Sequence, residues 1–215
     1  MRWDLVRFDL MESLPIAFRI LRRELGTFGT LRFLFSFVAR STFTDPFRAL
    51  RGDPKPGRGE AYTRQLLRSA LLFDATLRSH RKINGEKVHQ ILLEIVGQSG
   101  AAYIRANLHT PTADEWHAMS THEQHGFATG VLDRFENTEA NIVATPDHDF
   151  GFDVHFCHFA DLCRRLDRMD LAPLFCAADS LYFGDPLVPI RLDRAEIISK
   201  GDARCAFRFQ IEESP

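Results

Sequence analysis

Apolar residues recur every three or four positions along the first part of the chain and every second position near its end. Leu14, Ala17, Phe18, Leu21 and Leu25 follow the helical period, and residues 28–39 form a second apolar stretch interrupted by Arg32. Residues 51–59 then place three Gly and two Pro in nine positions, which reads as a linker. Beyond it, residues 62–80 carry Leu66, Leu67, Ala70, Leu71, Phe73 and Leu77 on one broad face. Asn84-Gly85 turns the chain, and residues 87–108 repeat the helical pattern through Val88, Ile91, Leu92, Ile95, Val96 and Ile104, with Gly97 and Gly100 expected to loosen the middle. Thr112-x-x-Glu115 has the spacing of a capping box opening a helix toward Thr121, and a further helix is expected over 127–136. After about residue 140 the period becomes two. Phe152, Val154 and Phe156 alternate with Asp153, His155 and Cys157, a strand with one apolar face, and residues 160–169 return to helical spacing. Residues 188–199 and 203–211 flank Lys200-Gly201-Asp202 as a β-hairpin. The order predicts an α+β fold, a helical N-terminal half packed on a small antiparallel sheet formed mainly by the C-terminal part.

Charge divides the chain more sharply than its net value of −2 shows. Residues 1–58 hold eleven basic and six acidic side chains, so an excess of five positive charges sits in residues 1–58 and an excess of seven negative ones in residues 59–215. Residues 1–58 therefore read as a basic amphipathic extension with its linker, and residues 59–215 as the main domain. The extension is too short and too charged to span a bilayer, but fits peripheral contact with an anionic membrane, a partner subunit or the rest of its own chain. The near-neutral total excludes a nucleic-acid binder, and a homo-oligomer is compatible with these features. The start of the chain mixes acids with bases and lacks an apolar export segment, so a cytoplasmic protein with free thiols is expected. Of the aromatic residues 19 are Phe, against 3 Tyr and 2 Trp, which points to rings in the core or lining a pocket.

The chemistry-bearing residues gather late. All four cysteines lie between 157 and 205. On the polar face of the strand Asp153, His155 and Cys157 would line one wall, where an imidazole beside a thiol is the minimum for an activated nucleophile; an exposed Asp and His beside a half-buried Cys fit the same pattern. Cys176-Ala-Ala-Asp179 puts a thiol and a carboxylate on one helical face. In the last strand Cys205 shares a face with Phe207 and Phe209, while Arg208 points the other way as an outward group or an anion binder. His109, His117, His122 and His125 cluster beside Glu115 and Glu123, but they lack the His-Glu-x-x-His spacing of a zincin, and neither a metal nor another cofactor is expected.

Taken together, Cys157, Cys176-x-x-Asp179 and Gly201-x-x-x-Cys205-x-Phe207-Arg208-Phe209 resemble the L-2-amino-thiazoline-4-carboxylic acid hydrolase family over roughly residues 65–210. The resemblance implies a hydrolase of carbon–nitrogen bonds other than peptide bonds, acting on a small cyclic amidine or thiazoline-like substrate. In that reading Cys157 attacks an electrophilic carbon or holds the water that does, His155 moves the proton and Asp179 orients the base or the substrate cation. Cys176 and Cys205 contact the substrate, and Arg194 or Arg208 clamps its carboxylate. The cysteine-bearing hairpin also looks like that of 4-vinyl reductase-type domains. The alternative is therefore a non-catalytic domain whose Phe-lined cavity binds a small molecule.

Overall fold

The computed structural model describes residues 7–80 and 83–212, so the mixed-charge start at residues 1–6 lies outside the described part. After a π-helical turn at Asp9–Ser13, helix α1 runs over Leu14–Phe43. It is broken at Gly26, whose φ of 68° and ψ of 174° belong to a region that side chains with a Cβ do not tolerate. The break separates the two apolar stretches of the extension. Helices α2 (Arg58–Arg78) and α3 (Gly85–Asn107) follow, α3 capped by the Asn84 side-chain Oδ1 accepting from the Lys87 N–H at 2.8 Å. The capping box at Thr112 and Glu115 forms with both bonds but opens only a short helix, α4 (Ala113–Ala118). A second capping box, Ser120 with Glu123, starts α5 (Thr121–Leu132), several residues before the helix that periodicity placed at 127–136.

The C-terminal part alternates strands and helices: β1 (Thr138–Ile142), β2 (Phe150–Cys157), α6 (His158–Arg165), α7 (Ala172–Phe183), β3 (Ile190–Asp193) and β4 (Cys205–Ile211). The strands form one antiparallel sheet in the order β1-β2-β4-β3. The expected α+β architecture is thus present, with β1 as the strand that periodicity did not reveal.

Two apolar clusters hold the described residues. The first joins the extension to the domain: Ala17, Ile20, Leu21 and Phe33 of α1 are buried among Leu67 of α2, Leu92 of α3, Leu162 of α6 and Leu174 of α7. Each fully buried Leu, Ile or Phe contributes about 1.5–3 kcal/mol relative to exposure, so the inner face of α1 is fixed on its own chain. Ion pairs reinforce it, from Arg23 to Glu94 and from Lys87 to Glu24 at 2.5 Å. The second cluster covers the inner face of the sheet, where Phe150 stacks on Phe209 and Phe152 on Phe207 with ring centroids 4.7 and 4.9 Å apart. Between them the two clusters take up thirteen of the 19 Phe residues. Phe28, Phe35 and Phe43 depart from that expectation, standing exposed on α1.

Helices α3 and α7 cross closely at Gly97 and Gly100. A Cβ on Gly100 would lie 2.4 Å from the Ala178 Cβ, and one on Gly97 would lie 2.8 Å from Leu181 Cδ1. These glycines do not loosen α3, as propensity suggests; their missing side chains admit α7 against it.

Candidate functional site

The site lies where the two apolar clusters meet. Cys157 packs against both, and a cavity of about 210 Å³ opens beside it. Cys157, Cys176, Asp179, Arg194 and Cys205 all line this cavity, although they come from the end of β2, from α7, from the segment after β3 and from the start of β4. Phe175, Phe183 and Phe207 supply apolar wall, and Asn107, Arg134, Asn137 and Thr138 add polar groups.

A β-bulge aims Cys157 into this space. Glu139 of β1 opposes Phe156, but the next residue, Ala140, opposes Val154, so His155 is an extra residue in β2. The extra residue breaks the simple alternation, and Cys157 joins Val154 on the cavity side. The single wall of Asp153, His155 and Cys157 expected from strand periodicity is therefore corrected. His155 stands half-exposed on the outside with Glu139 at 3.7 Å. Asp153 is held between Arg204 at 2.6 Å and Arg208 at 2.8 Å. Arg208 also donates to the Phe207 carbonyl at 2.9 Å and faces outward, as alternation along the last strand expects; neither it nor His155 lines the cavity, so the substrate-clamping role of Arg208 and the proton-moving role of His155 lose their place there.

Cys157 occupies the N-cap position of α6. Burial pushes its thiol up to about 11, while the backbone N–H groups of Ala160 and Phe159 pull the other way. The Cys176 thiol lies 3.3 Å from the Ser199 hydroxyl, and Cys205 Sγ accepts from the Ile198 N–H at 3.2 Å. Burial also raises both of these thiols. Cys163, by contrast, is wholly buried in the helical cluster, away from the cavity.

Asp179 and Arg194 form the charged element. Arg194 Nη1 donates to Asp179 Oδ2 at 2.6 Å, Nη2 donates to the Cys176 carbonyl at 3.0 Å, and the guanidinium lies 5.1 Å from the centre of the Phe207 ring. Its Nε is buried without a partner among the described residues. Burial drives the Asp179 carboxyl upward against the opposing pull of Arg194. The pair thus presents a carboxyl that takes up a proton more readily than an exposed one, beside a cation with a donor to spare. The sequence motif located Asp179; nothing in spacing pairs it with Arg194, fifteen residues on and across a strand.

The histidines at 109, 117, 122 and 125 do not assemble. Among the described residues no three His, Cys, Asp or Glu side chains converge as a metal-ligand set. No helix among them is long and apolar enough to cross a membrane.

Among known families, residues 63–209 match the model described as L-2-amino-thiazoline-4-carboxylic acid hydrolase. No curated protein and no solved structure matches the chain.

Proposed function

The chain belongs to the L-2-amino-thiazoline-4-carboxylic acid hydrolase family, and from that premise we propose that it hydrolyses a non-peptide C–N bond of a small cyclic amidine or thiazoline-like substrate in the cavity beside Cys157. The observation that carries this reading is the convergence of Cys157, Cys176 and Cys205 with the Asp179–Arg194 pair on one cavity.

In this reading Cys157 is the nucleophile. Its sulfur adds to the amidine carbon as its proton passes to Asp179, and Asp179 returns the proton to the departing heteroatom of the ring. Water then adds to the carbon held on sulfur, the C–S bond to Cys157 breaks, and the thiol regains a proton. Asp179 takes the proton-moving role first assigned to His155, because it lines the cavity and His155 does not. Arg194 binds the substrate carboxylate through its spare donor. The apolar wall limits water and strengthens these charge interactions.

The raised thiols also support the rival reading, a binding domain without catalysis. Iodoacetamide separates the two. In a hydrolase, alkylation maps to Cys157, accelerates as pH rises toward about 11, is slowed by substrate and abolishes turnover in step with labelling. Labelling of Cys157 that leaves turnover intact, or four inert thiols across that pH range, overturns the nucleophile assignment.

A further inference from the structure

A second cavity, of about 340 Å³, adjoins the first. Phe8, Leu14 and Ala17 of the N-terminal extension line it on one side, and Ala70 of α2 with Leu92 and Ser99 of α3 line it on the other. Tyr62, Leu66, Gly100, Tyr103 and Phe175 line both cavities, so the two spaces meet along a common wall. The lining is mostly apolar, and the Ser99 hydroxyl is buried without a partner among the described residues. The residues on the extension side precede the family match at 63–209.

A small ring with a carboxylate needs no more than the first cavity. We propose that the two spaces form one elongated site for an amphiphile, whose polar head lies against Cys157, Asp179 and Arg194 and whose apolar tail runs beneath the extension. Covering such a tail removes apolar surface from water, about 25 cal/mol for each Å². The proposal deepens the hydrolase reading and rests on it only for the chemistry of the head.

Dodecanoate tests it, as an apolar tail with a carboxylate that the protein does not turn over. Titrated calorimetrically, it binds the wild-type chain at one site, and Ser99→Phe, which fills the second cavity, weakens binding by about tenfold or more. Leu14→Trp on the extension side serves the same purpose should Ser99→Phe fail to fold. Absence of saturable binding, or wild-type affinity in the folded filling variant, overturns the elongated site. Since the probe is not a substrate, its binding and the loss of that binding in the filling variants are read without turnover, so the elongated site and the hydrolase reading fail on separate measurements.

A different observation carries a second inference. Helix α1 turns Phe28, Leu31, Phe35 and Val38 outward in one stripe, with Phe28 and Phe35 at 89% and 79% exposed. Arg22 and Arg32 on the same helix, and Arg48 just beyond it, are exposed and make no ion pair among the described residues. The five-charge positive excess of residues 1–58 and the seven-charge negative excess of residues 59–215 make the extension the part that an anionic surface attracts and the rest the part that it repels. We infer that the extension lies on an anionic bilayer, its Phe and Leu side chains at the headgroup boundary and its arginines at the phosphates. The full chain then sediments with phosphatidylcholine vesicles containing phosphatidylserine but not with phosphatidylcholine alone, and the double variant Phe28→Asp, Phe35→Asp stays in solution. No vesicle binding, or a solution dimer that this variant dissolves, overturns the membrane assignment; the dimer would name a second copy as the occupant.

Discussion

Cys157 stands under opposed influences, burial holding its proton and the N–H groups at the start of α6 favouring the thiolate, with burial the larger. A substrate that displaces water while a neighbouring base takes the proton is therefore needed to make it reactive. His155→Ala is expected to leave turnover within about twofold of wild type, since surface substitutions away from a site change little, and Asp179→Asn to abolish it; steady-state rates of the two variants check this. Asp179→Asn also leaves Arg194 buried beside a neutral amide, a loss of about 3 kcal/mol that chemical unfolding measures. Cys163 gives a cleaner pH prediction. Its thiol is pushed up to about 12 by burial, with Asp170 adding to the effect, from an ordinary value of 9.0. Unfolding restores the ordinary value, so the unfolded chain releases this proton first. The contribution of Cys163 to stability is intact below pH 9.0 and drains away as pH rises toward about 12. Melting temperatures across that window fall for the wild type and fall less steeply for Cys163→Ala; equal slopes would contradict the assignment.

The arrangement of helices turns on small local features. At the crossing of α3 and α7, Gly100→Ala puts a methyl group 2.4 Å from the Ala178 Cβ, which costs about 1–3 kcal/mol as overpacking and pushes α7 away from α3. Because α7 carries Cys176 and Asp179, this variant is expected to lose affinity for substrate as well as stability, measured by KM and by thermal melting together. A conservative change at exposed Gly52, where a Cβ meets nothing, is the control. These features also mark what the sequence could convey. The helices at Arg58–Arg78 and Gly85–Asn107, the capping box at Thr112 and the strand at Phe150–Cys157 were legible because periodicity and caps are local signals. The purpose of Gly97 and Gly100 was not, since a close helix crossing depends on a partner about eighty residues away. Strand β1 was hidden for a similar reason: its burial alternates only between partly buried and exposed positions, which leaves little apolar contrast to read.

At the scale of the molecule, a helical cluster and a sheet cluster meet at Cys157, and the extension is built into the first of them. Removing residues 1–57 strips Ala17, Ile20, Leu21 and Phe33 from that cluster. The shortened chain is expected to lose cooperative thermal unfolding by circular dichroism, despite retaining every residue of the family match at 63–209. The motifs named Cys157, Cys176, Asp179 and Cys205 from separate segments, and the tertiary fold brings them to one cavity. The place given to His155 rested on strict strand alternation, whereas the clamping role of Arg208 came from the family resemblance and alternation itself put that side chain outward, where it stands. One bulge residue changed which side chains share a face, and no local pattern announced it. The central claim is that the cavity beside Cys157 performs hydrolysis. Chromatographic measurement of the hydrolysis of 2-amino-thiazoline-4-carboxylate by wild type and Cys157→Ala, both verified as folded, tests it most directly. The account predicts turnover by the wild type and none by Cys157→Ala; equal rates in the two proteins, or no turnover by the wild type, would contradict it.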